Sequence, residues 1–188
     1  LLTTLLIVVG CQTAPYKTQY TLGTAIDSNI PVSNVQKPYS IAISDVKTFG
    51  SGMNTDMTYS RSANIIESYT KSEWAEPPVN LIKVALANAL IASGAYKDVL
   101  MEPTTIRSPY KVDATLQSMQ QVFQGNQNSI ELSLMVRLVN TTTHQVVFSK
   151  VYRATEVAAS QNAEGGVEAY NRALSLLLPS IVRDINAH

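Results

Sequence analysis

Between Ile130 and Leu138 every second residue is apolar: Ile130, Leu132, Leu134, Val136 and Leu138 alternate with polar Glu131, Ser133 and Arg137. A period of two places alternate side chains on opposite faces of a strand, so the pattern predicts a strand over 130–139 with one dry and one wet face. Tyr110, Val112, Ala114 and Leu116 open a similar strand over 110–121, and Gln145–Thr155 supplies a third. The polar loops Gly125–Asn128 and Asn140–His144 would join these as antiparallel hairpins. Toward the N-terminus the strand signals are shorter. Ser40–Val46 follows Pro38 and alternates Ile41 and Ile43 with polar neighbours, Phe49–Gly52 is a turn, and Lys97–Met101 can add a short strand. Met57–Ser60 and Ala63–Tyr69 resemble two strands about a tight turn at Arg61-Ser62, a turn without Asn or Gly.

Two segments change to the helical period. Val79, Ile82, Leu86, Ala89, Leu90 and Ser93 recur at steps of three and four between Pro77-Pro78, which suit a first helical turn, and Gly94, which suits a helix end. From about Ala163, Val167, Tyr170, Leu174, Leu177 and Ile181 do the same. Pro179 falls inside this second helix, and an interior proline costs about 3 kcal/mol, so a bend or restart near Leu178 is expected. Strands, a helix, further antiparallel strands and a helix predict an α/β (α+β) two-layer sandwich: a mostly antiparallel sheet with both amphipathic helices on one buried face. There is no internal repeat. The chain divides into an apolar start (1–10), a Thr-, Ser- and Asn-rich tether with a short edge strand at Thr18–Leu22 (11–37), and one domain (38–188).

The apolar start, Leu1 to Gly10, is about half the ~20 residues that span a bilayer as a helix, so it reads as the hydrophobic part of a signal peptide without its basic beginning. Cys11 follows at once and is the only cysteine. Val8-Val9-Gly10-Cys11 is similar to a bacterial lipobox, in which the cysteine is lipidated and becomes the first residue of the mature chain. The alternative is a buried strand with a small core cysteine. Gln12-Thr13-Ala14-Pro15 leads into polar, unpatterned chain rather than a partner strand, which favours the lipid anchor.

Charge narrows the function. Lys plus Arg and Asp plus Glu both number 14, so no net field draws in nucleic acid. With one cysteine there is no intramolecular disulfide, and two histidines, His144 and the terminal His188, offer little material for a metal site. His144 lies in a Thr-rich loop and reads as solvated. Gly50-Ser51-Gly52 has neither phosphate-loop nor nucleophile-elbow spacing. No activated nucleophile, metal cluster, cofactor motif or carboxylate pair emerges, so the expectation is a binding protein and not an enzyme.

Tyr59-Ser60-Arg61, a β segment, and then Glu73-Trp74-Ala75-Glu76-Pro77-Pro78-Val79-Asn80-Leu81 resemble the Arg-containing strand and the Trp-Ala-Glu-Pro helix entry of the ABC-type transport auxiliary lipoproteins, which include the paraquat-inducible outer-membrane lipoprotein. Tyr20-Thr21-Leu22 and the closing Ala-rich helix are similar to that family too, so the likeness runs from Cys11 to the last helix. Ser51-Gly52-Met53-Asn54 stands where the family often has Pro-Glu-Tyr-Leu-Asp. The resemblance implies a periplasmic, non-enzymatic partner of an ABC transporter with a mammalian-cell-entry-domain protein, a system of lipid transport between the membranes. It also implies a homo-oligomer, in some relatives a ring, and a lipid anchor at Cys11. Gln12 behind the cysteine is compatible with sorting to the inner face of the outer membrane. A second reading is a periplasmic lipid-binding carrier with an internal apolar pocket.

Five residues are candidates for partner docking. Trp74, the only tryptophan, is either an interface anchor or a residue packing the helix start onto the sheet, and packing is favoured. Glu73 and Glu76 beside it are explained by the helix dipole. Arg61 either pairs with one of those glutamates or meets a partner's carboxylate, with the local role favoured. Met119, Phe123 and Tyr152 are expected to be exposed apolar positions.

Overall fold

A computed structural model describes residues 16–23, 29–50, 52–62 and 64–188; Cys11 and the apolar run before it lie outside the described residues. Nine strands and two helices follow in the order β1 (Thr18–Tyr20), β2 (Ile41–Ile43), β3 (Lys47–Thr48), β4 (Asp56–Ser62), β5 (Ile65–Trp74), α1 (Pro78–Ser93), β6 (Val99–Met101), β7 (Tyr110–Gln124), β8 (Gln127–Asn140), β9 (Gln145–Val157) and α2 (Ala163–Asn186). The nine strands form one sheet. Its frame is the antiparallel meander β7–β8–β9, which the alternating patterns predict.

The other edge of β7 is shared. β2 pairs with Tyr110–Val112, β3 with Thr115-Leu116 and β4 with Gln121-Val122, all parallel to β7. β6 then extends the sheet from β2, while β5 and β1 extend it from β4. These parallel joins come from distant sequence, and pairings of two or three residues carry no periodic signal that could reveal them. The β4–β5 turn lies two residues later than the sequence suggests: β4 runs through Arg61 and Ser62, and Asn64 takes the left-handed φ of 68°. Asparagine tolerates that conformation better than most residues, so the turn has the residue type it requires.

Both helices cover the sheet face that carries Val112, Ala114 and Leu116 of β7 and Ile130, Leu132, Leu134, Val136 and Leu138 of β8, all buried in one core. α1 follows Pro77 and ends at Gly94, whose φ of 63° and N–H to the Ile91 carbonyl close it with a left-handed cap. It is buried on most of its circumference because the described part of the 11–37 segment packs over it. Leu22 and Ile30 are buried, and the Ser33 and Lys37 N–H groups bond the Ser93 and Ala95 carbonyls. The described part of the tether is therefore docked on the domain.

α2 begins at Asn162, whose side-chain oxygen accepts from the Gly165 N–H. It then runs unbroken through Pro179 to Asn186, with no restart near Leu178. Leu177, Leu178, Ile181 and Val182 are buried on both sides of the proline. Full burial of such side chains contributes about 1.5–3 kcal/mol each, which outweighs the proline cost.

Candidate functional site

β7 carries a register shift between Leu116 and Ser118. One extra residue there resets the period of two, so the apolar side chains move from even positions, Val112 to Leu116, to odd ones, Met119 to Phe123. Met119 consequently turns into the core and is 7% exposed. Trp74 (3%) and Tyr152 (5%) are also interior. Met119 and Tyr152 are thus not the exposed apolar positions that the sequence suggests, and Trp74 packs edge-on against Tyr170 of α2 at 5.8 Å. Met57, Trp74, Met119 and Tyr170 line a crevice of about 10 Å³, room for one water. The space between helices and sheet there is filled by side chains and holds no lipid-sized volume.

The structure brings the other two candidates together. β4 places Tyr59 and Arg61 two residues apart, on the same side of the strand, and the reset phase of β7 places Phe123 beside them. The Arg61 guanidinium lies 5.1 Å from the Tyr59 ring centre and 5.8 Å from that of Phe123. The two rings meet edge to face at 5.5 Å, and Tyr69 of β5 stacks at 4.7 Å from Tyr59. Contacts of a cation with aromatic faces contribute about 0.5–1 kcal/mol each at exposed sites and fix the direction of the guanidinium. Arg61 pairs with neither Glu73 nor Glu76, and among the described residues it has no ion pair. A groove of about 300 Å³ opens beside it, lined also by Phe123, Gly125 and Gln161.

Glu73 belongs to β5 and not to a helix start. It accepts from Gln19 at 3.0 Å and pairs with Lys17 at 3.5 Å, clamping β1 onto β5. The Gln19 hydrogen bond and the Lys17 charge hold its carboxyl below the ordinary range.

Beneath the aromatic cluster lies a buried polar knot. The Tyr69 hydroxyl donates to Gln121 Oε1 at 3.1 Å, and Gln121 Nε2 donates to Asn128 Oδ1 and to the Asn162 carbonyl, both at 3.0 Å. Asn128 Nδ2 donates in turn to the Ser160 carbonyl at 2.7 Å. Gln121 and Asn128 are buried, so these bonds replace water that neither side chain can reach. They hold the β7–β8 hairpin and the start of α2 under Arg61 and Phe123. Burial, with Tyr59 next to it, pushes the Tyr69 hydroxyl up to about 12 against the opposing pull of Arg61. Nothing in the sequence pattern points to this knot, because a glutamine in a strand ordinarily reads as a wet position.

At the opposite end of α2, Tyr152 buries its ring and donates to Asp184 Oδ2 at 2.7 Å, beside the Lys150 ammonium at 2.6 Å. Lys150 and Tyr152 hold the Asp184 carboxyl below its ordinary range, and burial together with that hydrogen bond raises the Tyr152 hydroxyl. The role of Tyr152 is therefore to fasten α2 to β9.

No helix among the described residues is long and apolar enough to cross a membrane. A family model described as the ABC-type transport auxiliary lipoprotein component matches residues 20–182. A solved structure of a protein from Xanthomonas campestris is similar over 94% of this chain and 97% of its own, with 16% identity and a TM-score of 0.74. That of an uncharacterized protein is similar over 90% and 99%, with 13% identity and a TM-score of 0.69. A hypothetical protein from Chlamydia trachomatis is similar over 81% and 100%, at 11% identity and a TM-score of 0.51. At such identities these likenesses establish the shared fold. No curated protein matches the chain.

Proposed function

Because the chain belongs to the ABC-type transport auxiliary lipoproteins, a family of membrane-anchored envelope proteins, we propose that it is a lipid-anchored periplasmic subunit of a mammalian-cell-entry lipid-transport system. It acts without catalysis, docking to the transport complex between the inner and outer membranes. The observation that carries this reading is the family match over nearly the whole folded domain, residues 20–182. Cys11 bears the lipid and holds the protein to the inner face of the outer membrane. The filled interior favours docking over the carriage of lipid in an internal pocket, since the crevice between Trp74 and Tyr170 holds about 10 Å³. Homo-oligomerisation has a natural surface in β9, which pairs only with β8 and leaves its other edge open among the described residues.

The test is Cys11→Ser expressed with its full signal. A folded protein released from the membrane fraction is expected, and unchanged retention would sink the anchor. For the partner, site-directed cross-linkers placed at Phe123 and at Ile106 of the 102–109 loop, at opposite ends of the sheet, should trap the mammalian-cell-entry protein of the same transport system from one end. A mammalian-cell-entry protein left unlinked from both ends would sink the docking role.

A further inference from the structure

β1 runs parallel to β5 with Thr18 beside Ser72, so the chain arrives at β1 from the direction of the β4–β5 hairpin tip. Seven residue steps separate Cys11 from Thr18. An extended chain covers at most ~3.3–3.6 Å per residue, giving a reach of roughly 25 Å. β5 also takes seven steps from Ser72 back to Ile65, roughly 23 Å at strand rise. A membrane that holds Cys11 is thus no farther from Thr18 than about the length of this hairpin.

The tip has the composition of a lipid-contacting surface. Ile65 and Ile66 are 56% and 64% exposed, at consecutive positions where a wet hairpin would carry polar residues. Arg61 stands beside them on β4, exposed and without an ion pair among the described residues, and Glu67 lies two residues along β5 from Ile65. Because β4 is parallel to β7, the β7–β8 turn lies at the same end of the sheet, with the 71%-exposed Val157 beyond it. Exposed apolar side chains beside an unpaired cation match the boundary between acyl chains and headgroups.

We propose that Arg61, Ile65 and Ile66 at the β4–β5 tip form a membrane-contact element that rests on the lipid surface holding the anchor. This rests on the reading of Cys11 as the lipidated residue. With a lipid as leash and the hairpin as foot, the domain stands on its β4–β5 end, and the opposite end, with the 102–109 loop, faces away from the membrane.

The experiment uses the lipidated full chain on vesicles of phosphatidylethanolamine and phosphatidylglycerol. Lipidated Cys11 offers no thiol, so Ile66→Cys or Ile106→Cys provides one labelling site for an environment-sensitive nitrobenzoxadiazole dye. Ile106 is 59% exposed in the loop at the far end and serves as control. The expected result is a several-fold brighter, blue-shifted label at position 66, quenched by nitroxide-bearing lipid, and an unchanged label at position 106. Flotation of the protein with both labels in water overturns the proposal while leaving the anchor intact. A response at position 66 that needs the transporter's mammalian-cell-entry protein overturns it in favour of protein docking. Failure of the chain to float overturns the anchor and the proposal with it.

Discussion

Gly166 in the first turns of α2 lies flat against Gln121 of β7: a Cβ at Gly166 would fall 2.3 Å from Gln121 Oε1. That amide is fixed by Tyr69, Asn128 and the Asn162 carbonyl, so it cannot retreat without breaking buried hydrogen bonds. Gly166→Ala is expected to lower stability by about 1–3 kcal/mol, the usual cost of overpacking. Urea denaturation measures it. The loss should be smaller in a Gln121→Ala background, because the two residues couple through contact; equal losses in both backgrounds would mean that the clash is not the cause.

Asp184 makes stability depend on acid pH in a defined direction. Its folded pKa is depressed, so its contribution is fully present above the unfolded value of about 3.9 and disappears as pH falls through the lower folded value. Asp184→Asn should cost on the order of 1 kcal/mol at neutral pH, a modest figure because Lys150 is half exposed and solvent screens the pair. The gap between wild type and variant in urea midpoint should narrow on titration from pH 6 to pH 3. A gap that widens on acidification would contradict the assignment.

Pro179 leaves the Ser175 carbonyl without its helical N–H donor, yet α2 is unbroken. Pro179→Ala restores the donor. Allowing for the greater freedom of the unfolded alanine chain, it should stabilise the protein by ~1–2 kcal/mol, seen as a higher thermal midpoint. A fall in the midpoint would show that the pyrrolidine ring packs too well to lose.

The parts of this fold that are legible in the sequence are those where one face is continuously buried. Every second residue from Ile130 to Leu138 is apolar because these five are buried in the core under the helices, and only Met135 departs from the polar face. The α1 boundaries follow from Pro78 and Gly94. What escapes is whatever changes the period or depends on distant partners. The extra residue between Leu116 and Ser118 shifts Met119 from a wet position to a dry one. The parallel joins to β7 involve two or three residues each, too few for any periodicity. Arg61 and Phe123 are both recognisable as interface types, but their stacking requires the β4–β7 join, and their neighbour Tyr69 belongs to a third strand.

Three short strands share one edge of β7, and this sets an order on the life of the chain. Synthesis delivers β1 to β6 first, while the strand that β2, β3 and β4 need as a common neighbour begins only at Tyr110. The meander β7–β8–β9 joins through adjacent turns and can close locally, whereas the earlier strands must wait and add to it from long range. The last-made half is therefore the template for the first-made half. A chain ending before Tyr110 would hold the pieces β1–β5–β4 and β2–β6 with no strand to join them.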